Sequence, residues 1–149
     1  MISDLSALQL QIEASLQQHL PTKSQIAQPM LDAMSYAVMG GGKRLRPMLV
    51  CASCEAFGGD YETAMPAACA FEFIHAYSLI HDDLPAMDDD ALRHGKPSTH
   101  IAFGEANAIL AGDSLHSLAF QAISEAQGIS ATNKLTIISL LSKAAGWPG

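Results

Sequence analysis

An all-α helical bundle is the fold that this 149-residue sequence predicts. Three observations carry that expectation. Apolar residues recur at steps of three and four, which places them on one face of a helix. Glycine and proline clusters stop each such run. No stretch alternates apolar and polar residues over a length useful to a strand, and no internal repeat or low-complexity linker interrupts the pattern. Helices of this kind bury their apolar stripes by packing on one another.

The first helix is marked by Leu5, Leu8, Ile12, Leu16 and Leu20, and ends at Pro21 and Thr22. A second is expected from about Pro29 to Met39, stopped by Gly40, Gly41 and Gly42. A third is expected from about Arg44 to Phe57, ending at Gly58 and Gly59. Asp60 or Thr63 suits the cap of a fourth, with Pro66 in its first turn. That helix, about Ala64 to Asp88, is apolar on nearly all sides and is therefore expected at the centre. Glu105 to Glu125 and Thr132 to Ala145 read as the fifth and sixth helices. The length fits one domain spanning residues 1–149.

Composition narrows the function classes. Apolar residues make up 49% of the chain, which argues for a packed core rather than disorder. A formal net charge of −7 argues against a nucleic-acid partner, since such binding needs a basic face. The most apolar stretch, Ala64 to Ile80, is shorter than the roughly 20 residues a membrane span needs and carries Glu72 and His75. The opening Met1-Ile2-Ser3-Asp4 has no basic n-region, so no secretory signal is expected. Three cysteines cannot form a fully paired disulfide set, which favours a reduced, cytoplasmic setting.

The distribution of charge says more than its sum. Five of the 15 acids lie between Asp82 and Asp90, and five of the eight bases fall in two windows, Lys43/Arg44/Arg46 and Arg93/Lys96. Crowded carboxylates repel, and hard divalent cations offset them. The basic windows suit phosphate. A solvated, charged surface is the competing reading of the counts alone.

The motif His81-Asp82-Asp83-Leu84-Pro85-Ala86-Met87-Asp88-Asp89-Asp90 sharpens the metal reading. His75, Ser78 and Asp82 share one helix face. The acids arrive at a helix C-terminus, where the dipole opposes them unless cations are present. Pro85 breaks the helical ladder and can bring Asp88 round to the side of Asp82. Mg²⁺ commonly takes one or two carboxylates plus substrate phosphates and water. The sequence argues against an EF-hand, because the alternating acids and the turn glycine at the required spacing are absent. Gly40-Gly41-Gly42-Lys43-Arg44-Leu45-Arg46-Pro47 joins a flexible loop to a helix start, where free N–H groups attract anions. It is not a nucleotide P-loop, since Lys43 is followed by Arg44 and no strand precedes it.

These segments, with Phe103–Leu115 (FGEANAILAGDSL), resemble the trans-isoprenyl diphosphate synthases, and among them the bacterial farnesyl diphosphate synthases. The matches at Gly40–Pro47, Phe73–Asp90 and Phe103–Leu115 fall in the expected order, and the resemblance covers roughly Ala27 to Gln127. It implies the N-terminal half of an isoprenoid-synthase helical bundle. The implied reaction condenses isopentenyl diphosphate with an allylic diphosphate, dimethylallyl or geranyl. It runs by Mg²⁺-assisted ionisation and gives farnesyl diphosphate. Asp82, Asp83 and Asp88 are then the expected Mg²⁺ residues, and Arg93 the expected contact to the allylic diphosphate. Lys43, Arg46 and His75 are expected to bind isopentenyl diphosphate. Tyr77, five residues before Asp82, is expected to floor the product pocket, with Ser78 leaving adjacent space open. The Ala- and Leu-rich helices Glu105–Glu125 and Thr132–Ala145 resemble family helices that form a homodimer interface.

Two departures qualify the match. The family usually carries two consecutive arginines where this chain reads Arg93-His94, which makes the contact expected of His94 pH-dependent. The family is also about twice as long and carries a second aspartate-rich motif that this chain lacks. Its end reads Gly146-Trp147-Pro148-Gly149, where the family continues with a Gln-containing segment. The 149-residue chain alone is therefore expected to be weakly active or inactive. A longer-chain synthase is the alternative within the fold, and Tyr77 argues against it. A non-catalytic half-domain that binds diphosphates or dimerises is the alternative outside it.

The remaining signals read as structural. Cys51 and Cys54 form C-x-x-C, but with Cys69 they fall short of the four ligands zinc needs. His81 is balanced between a partner to the acids and a packing role. His100 is expected to brace its loop, and His116 to pack or lie at the surface.

Overall fold

The computed structural model describes residue 2 and residues 4–147. The tail residues Pro148 and Gly149 lie outside the described residues. The described part contains seven helices: α1 (Leu5–His19), α2 (Gln28–Met39), α3 (Leu45–Ala56), α4 (Tyr61–Asp82), α5 (Thr99–Phe103), α6 (Glu105–Glu125) and α7 (Ala131–Ala144). Between α4 and α5 runs a two-stranded antiparallel ribbon, β1 (Leu92–Arg93) and β2 (Lys96–Pro97), in which Arg93 stands opposite Lys96. Among the described residues, no helix is long and apolar enough to cross a membrane.

The all-α class is as the sequence predicts, and the apolar stripes explain the packing. Leu8, Ile12 and Leu16 of α1 are buried, as are Leu31, Met34 and Val38 of α2. The α1 set closes mainly on α4 and the α2 set mainly on α6; α4 is the central helix and lies mainly between α3 and α6. Phe73 and Ile80 of α4 pack with Leu115 and Ile123 of α6 in one continuous core. Small residues let α4 and α6 approach closely. A Cβ at Gly112 would overlap the His81 imidazole where it now lies, so glycine is what leaves the ring its place.

Both ends of α4 differ from the sequence reading, each for a physical reason, and two further elements are present. Asp60 caps α4, its carboxylate accepting from the Glu62 N–H at 3.0 Å. The helix therefore starts a turn before Pro66, which lies inside it rather than in its first turn. At the other end α4 stops at Asp82, not Asp88. Pro85 has no N–H to continue the ladder and disfavours helical geometry at Leu84. The chain turns instead, with the Asp88 N–H donating to the Asp82 carbonyl at 2.8 Å and the Asp89 N–H to that of Leu84 at 3.2 Å. The ribbon and α5 were not expected. Two-residue strands are too short to show alternation, but His94 and Gly95 both adopt positive φ (51° and 76°), as a two-residue type I′ hairpin turn requires.

Candidate active site

Helix α2 ends at the glycine loop, and the chain re-enters helix at Leu45 after Arg44. Gly41 and Gly42 hold φ of 119° and 115°, which side chains rarely tolerate. The loop, the start of α3, the second half of α4 and the ribbon surround a cavity of about 220 Å³. Lys43, Arg46, His75, Arg93 and His94 all line it, so the structure brings together five residues that the sequence scatters over more than fifty positions. Lys96 lines it as well, a residue the sequence puts in a basic window suited to phosphate but gives no substrate role. Its signal was available, because in an antiparallel ribbon opposite residues share a face, and Lys96 stands opposite Arg93. The ribbon is tied to α2 by Lys96 Nζ donating to the Gly40 carbonyl (3.3 Å) and Tyr36 Oη donating to that of Pro97 (2.8 Å).

The cavity is strongly cationic although the protein is acidic. Five bases and two acids, Glu72 and Asp83, line it. Both acids are neutralised internally: Arg44 Nη1 donates to Glu72 Oε1 at 2.7 Å, and Arg93 binds Asp83 through two of its nitrogens. Lys43, Arg46 and Lys96 remain exposed. Arg46 Nη1 donates to His75 Nε2 at 3.2 Å. Burial, and then the Arg46 charge, hold the His75 imidazole below its ordinary value of 6.5. It is therefore neutral at pH 7, which leaves Nε2 free to accept. A surplus of charge-assisted donors in a concave site is what a diphosphate-sized anion needs.

The aspartates divide by burial. Asp82 is the last residue of α4 and is half-buried, whereas Asp88 is exposed and held beside it by the backbone bond described above. Neither carboxylate is hydrogen-bonded within the described residues. Asp83 points inward and is 2% exposed. It accepts from Arg93 Nε (3.3 Å) and Nη2, and Arg93 also lies 3.5 Å from Asp90. The Asp83 hydrogen bonds raise the already high pKa of Arg93. Among the described residues no group of three or more His, Cys, Asp or Glu forms a metal cage. Two carboxylates without a hydrogen bond among the described residues, Asp82 being the chain neighbour of the cavity-lining Asp83, fit Mg²⁺ shared with phosphate oxygens, and do not fit an all-protein site.

Tyr77 and Ser78 do not line the cationic cavity. Ser78 Oγ donates to the His75 carbonyl within α4 (2.9 Å). The Tyr77 ring meets His81 and His116 edge-on, at centroid distances of 5.4 and 5.1 Å, so it is fixed between α4 and α6. His81 Nε2 lies 3.1 Å from the Ile109 carbonyl and 3.9 Å from Asp113 Oδ1, so its ring reaches across to α6. His100 is buried with Nδ1 3.2 Å from Ser98 Oγ and braces the loop. Cys51 and Cys69 are buried thiols, each pushed up to about 11 mainly by burial, and neither is nucleophilic at neutral pH.

The polyprenyl synthetase family model matches residues 27–146 of the chain. The farnesyl diphosphate synthase of Haemophilus influenzae is 54% identical over 121 residues, which cover 81% of this chain and 41% of that protein. The chloroplastic geranylgeranyl pyrophosphate synthase of Catharanthus roseus is 50% identical over 119 residues, 79% of this chain and 33% of that protein. The chain thus spans less than half the length of these relatives. The crystal structure of an FPP/GFPP synthase from Zymomonas mobilis, 43% identical, superposes with a TM-score of 0.89 over 98% of this chain and 54% of its own.

Proposed function

The chain belongs to the polyprenyl synthetase family, and on that premise we propose that it supplies the isopentenyl diphosphate pocket and one carboxylate wall of a farnesyl diphosphate-forming prenyltransferase. The observation that supports this most is the net positive cavity, lined by Lys43, Arg46, Arg93 and Lys96, with both of its lining acids already paired to arginine. Lys43 and Arg46 bind the diphosphate of isopentenyl diphosphate, with neutral His75 orienting Arg46. His94 and Lys96 extend that contact from the ribbon. Arg93, braced by Asp83, faces the allylic diphosphate. Asp82 and Asp88 hold Mg²⁺, which when bound stabilises the charge on the departing diphosphate as a Lewis acid.

In the reaction proposed, the C–O bond of dimethylallyl or geranyl diphosphate breaks and its electron pair leaves with pyrophosphate. The isopentenyl double bond attacks the resulting cation, and a proton is then lost. This chain's own contribution is positional and electrostatic: preorganised cations receive the developing negative charge. Tyr77, wedged between His81 and His116, is a rigid wall that stops growth at fifteen carbons. Two carboxylates are too few for the metal arrangement the full reaction uses, so the chain alone turns over weakly or not at all. A second copy docks on α6, where Ile109 and Leu110 are 42% and 51% exposed.

The test is a product assay with Mg²⁺, isopentenyl diphosphate and geranyl diphosphate. It compares the 149-residue chain with a chimera in which the remainder of the Haemophilus enzyme follows Gly146. Farnesyl diphosphate from the chimera, with little or none from the chain alone, supports the reading. Full turnover by the chain alone refutes the claim that one carboxylate wall is insufficient. A folded chimera that gives no prenyl product refutes the activity.

A further inference from the structure

Of the three bases that follow the glycine loop, Arg44 alone turns into the protein. It is 4% exposed and holds a left-handed backbone, with φ of 50°, at the N-cap of α3. A side chain persists in that region only where its surroundings over-determine it. The guanidinium makes those surroundings. Nη1 donates to Glu72 Oε1 at 2.7 Å, and Nη2 donates to the Val38 carbonyl at 2.9 Å. Nε lies 3.7 Å from Glu13 Oε1 without a hydrogen bond. One side chain thus joins α1, the last turn of α2, the start of α3 and the middle of α4.

The position of this network bears on the cavity. Glu72 lies one turn before His75 on α4, and Arg44 lies two residues before Arg46. Two rungs therefore link the start of α3 to α4: a buried one, Arg44–Glu72, and one at the cavity, Arg46–His75. The buried rung decides where the outer one stands, and with it the exposed neighbour Lys43. Arginine suits this place because its planar fork reaches a carboxylate and a carbonyl at once, which lysine cannot do.

We propose that Arg44 is a positioning residue of the anion cavity: clamped to Glu72 and the Val38 carbonyl, it fixes the exit from the glycine loop that aims Lys43 and Arg46 at a bound diphosphate. The role rests on the diphosphate reading given above. It also separates from a merely structural one. Apolar residues of similar size often replace a buried ion pair without loss of stability, but they do not restore the aim of the loop.

The experiment titrates inorganic pyrophosphate into the 149-residue chain without metal, by calorimetry, with urea denaturation in parallel. Arg44→Lys is expected to keep the helical content and to weaken binding by about tenfold or more, the scale of one lost charge-assisted bond. The paired Arg44→Met and Glu72→Leu variant is expected to match the wild type in stability and still bind about tenfold more weakly. Wild-type affinity in either folded variant overturns the positioning role while leaving the diphosphate reading intact. The control is Lys43→Ala with Arg46→Ala. If that variant binds like the wild type, or the wild type does not bind, the diphosphate reading falls and the positioning role falls with it. Should the paired variant fail to fold, Arg44→Lys decides.

Discussion

Asp82 and Asp83 are neighbours in one motif, and the structure gives them surroundings different enough to measure. Asp83 is 2% exposed and receives two bonds from Arg93, whose side chain is 34% exposed. Replacing it by Asn keeps the shape and removes the charge. A hydrogen bond to a charged group contributes about 1.5–3 kcal/mol, and Arg93 retains water and Asp90 as partners, so the expected loss is about 2 kcal/mol. For a domain of this size that lowers the Tm by roughly 4–8 °C. The reverse change, Arg93→Met, strands a buried carboxylate and is expected to cost more, about 3–5 kcal/mol. Asp82→Asn acts in the opposite sense. Its carboxylate opposes the dipole at the end of α4, so neutralising it stabilises by about 0.3–1 kcal/mol. It is also expected to remove the Mg²⁺-dependent increment in pyrophosphate affinity, which Asp83→Asn leaves in place. Thermal melts and calorimetric titrations with and without Mg²⁺ read both effects. An Asp83→Asn protein that melts like the wild type yet loses the Mg²⁺ increment would refute the assignment and make Asp83 a metal ligand.

Three further outcomes follow from the geometry. Because His75 is held below 6.5 in the folded state, the unfolded chain takes up the proton first; the stability it contributes is complete above about pH 6.5 and declines as pH falls toward its folded value. Urea midpoints at pH 7.5 and 5.5 should therefore differ more for the wild type than for His75→Gln, and equal differences would discount the burial of His75. Gly112→Ala gains about 1 kcal/mol in helix propensity but expels His81, losing its bond to the Ile109 carbonyl and its contact with Tyr77, about 2 kcal/mol together. A net loss of about 1 kcal/mol is expected, relieved when His81→Ala is added; a Gly112→Ala protein more stable than wild type would contradict the close approach. Tyr77→Ala, in the chimera, should yield products longer than fifteen carbons by chromatography, and unchanged product length would remove Tyr77 from the pocket floor.

The helices were legible because their signals are local. The run from Glu105 to Glu125 matches α6 residue for residue, since an uninterrupted periodic stripe bounded by Gly104 has one solution. The end of α4 was not legible to the residue. Periodicity continues past Asp82, and only the missing N–H of Pro85 stops the ladder, yet that proline did predict the approach of Asp88 to Asp82. The cation cavity was readable as two basic windows, but not its composition. Nothing in Lys43-Arg44-Leu45-Arg46 says which base turns inward, because that depends on partners 28 residues away. A clue did exist at the other end: between Glu62 in the first turn and Asp82 at the end, Glu72 is the lone acid in the apolar interior of α4, and a buried carboxylate demands a cation.

That clue generalises into an argument about how one motif serves two tasks. In each charged cluster the residue that turns inward is matched by an opposite charge, Arg44 by Glu72 and Asp83 by Arg93. Burying an unmatched charge is too costly to persist, so pairing is compulsory inside. Outside, water lowers that cost, and among the described residues Lys43, Arg46, Asp82 and Asp88 form no ion pair within 4 Å, although the Asp82 charge is felt at Arg93. Those unmatched groups keep their charge available for a ligand. Aligning consecutive charged residues by sequence alone therefore merges scaffold with site. Burial separates them, and it predicts that the two kinds of residue fail differently: loss of an inward charge shows first in stability or in the aim of its neighbours, and loss of an outward one shows first in affinity.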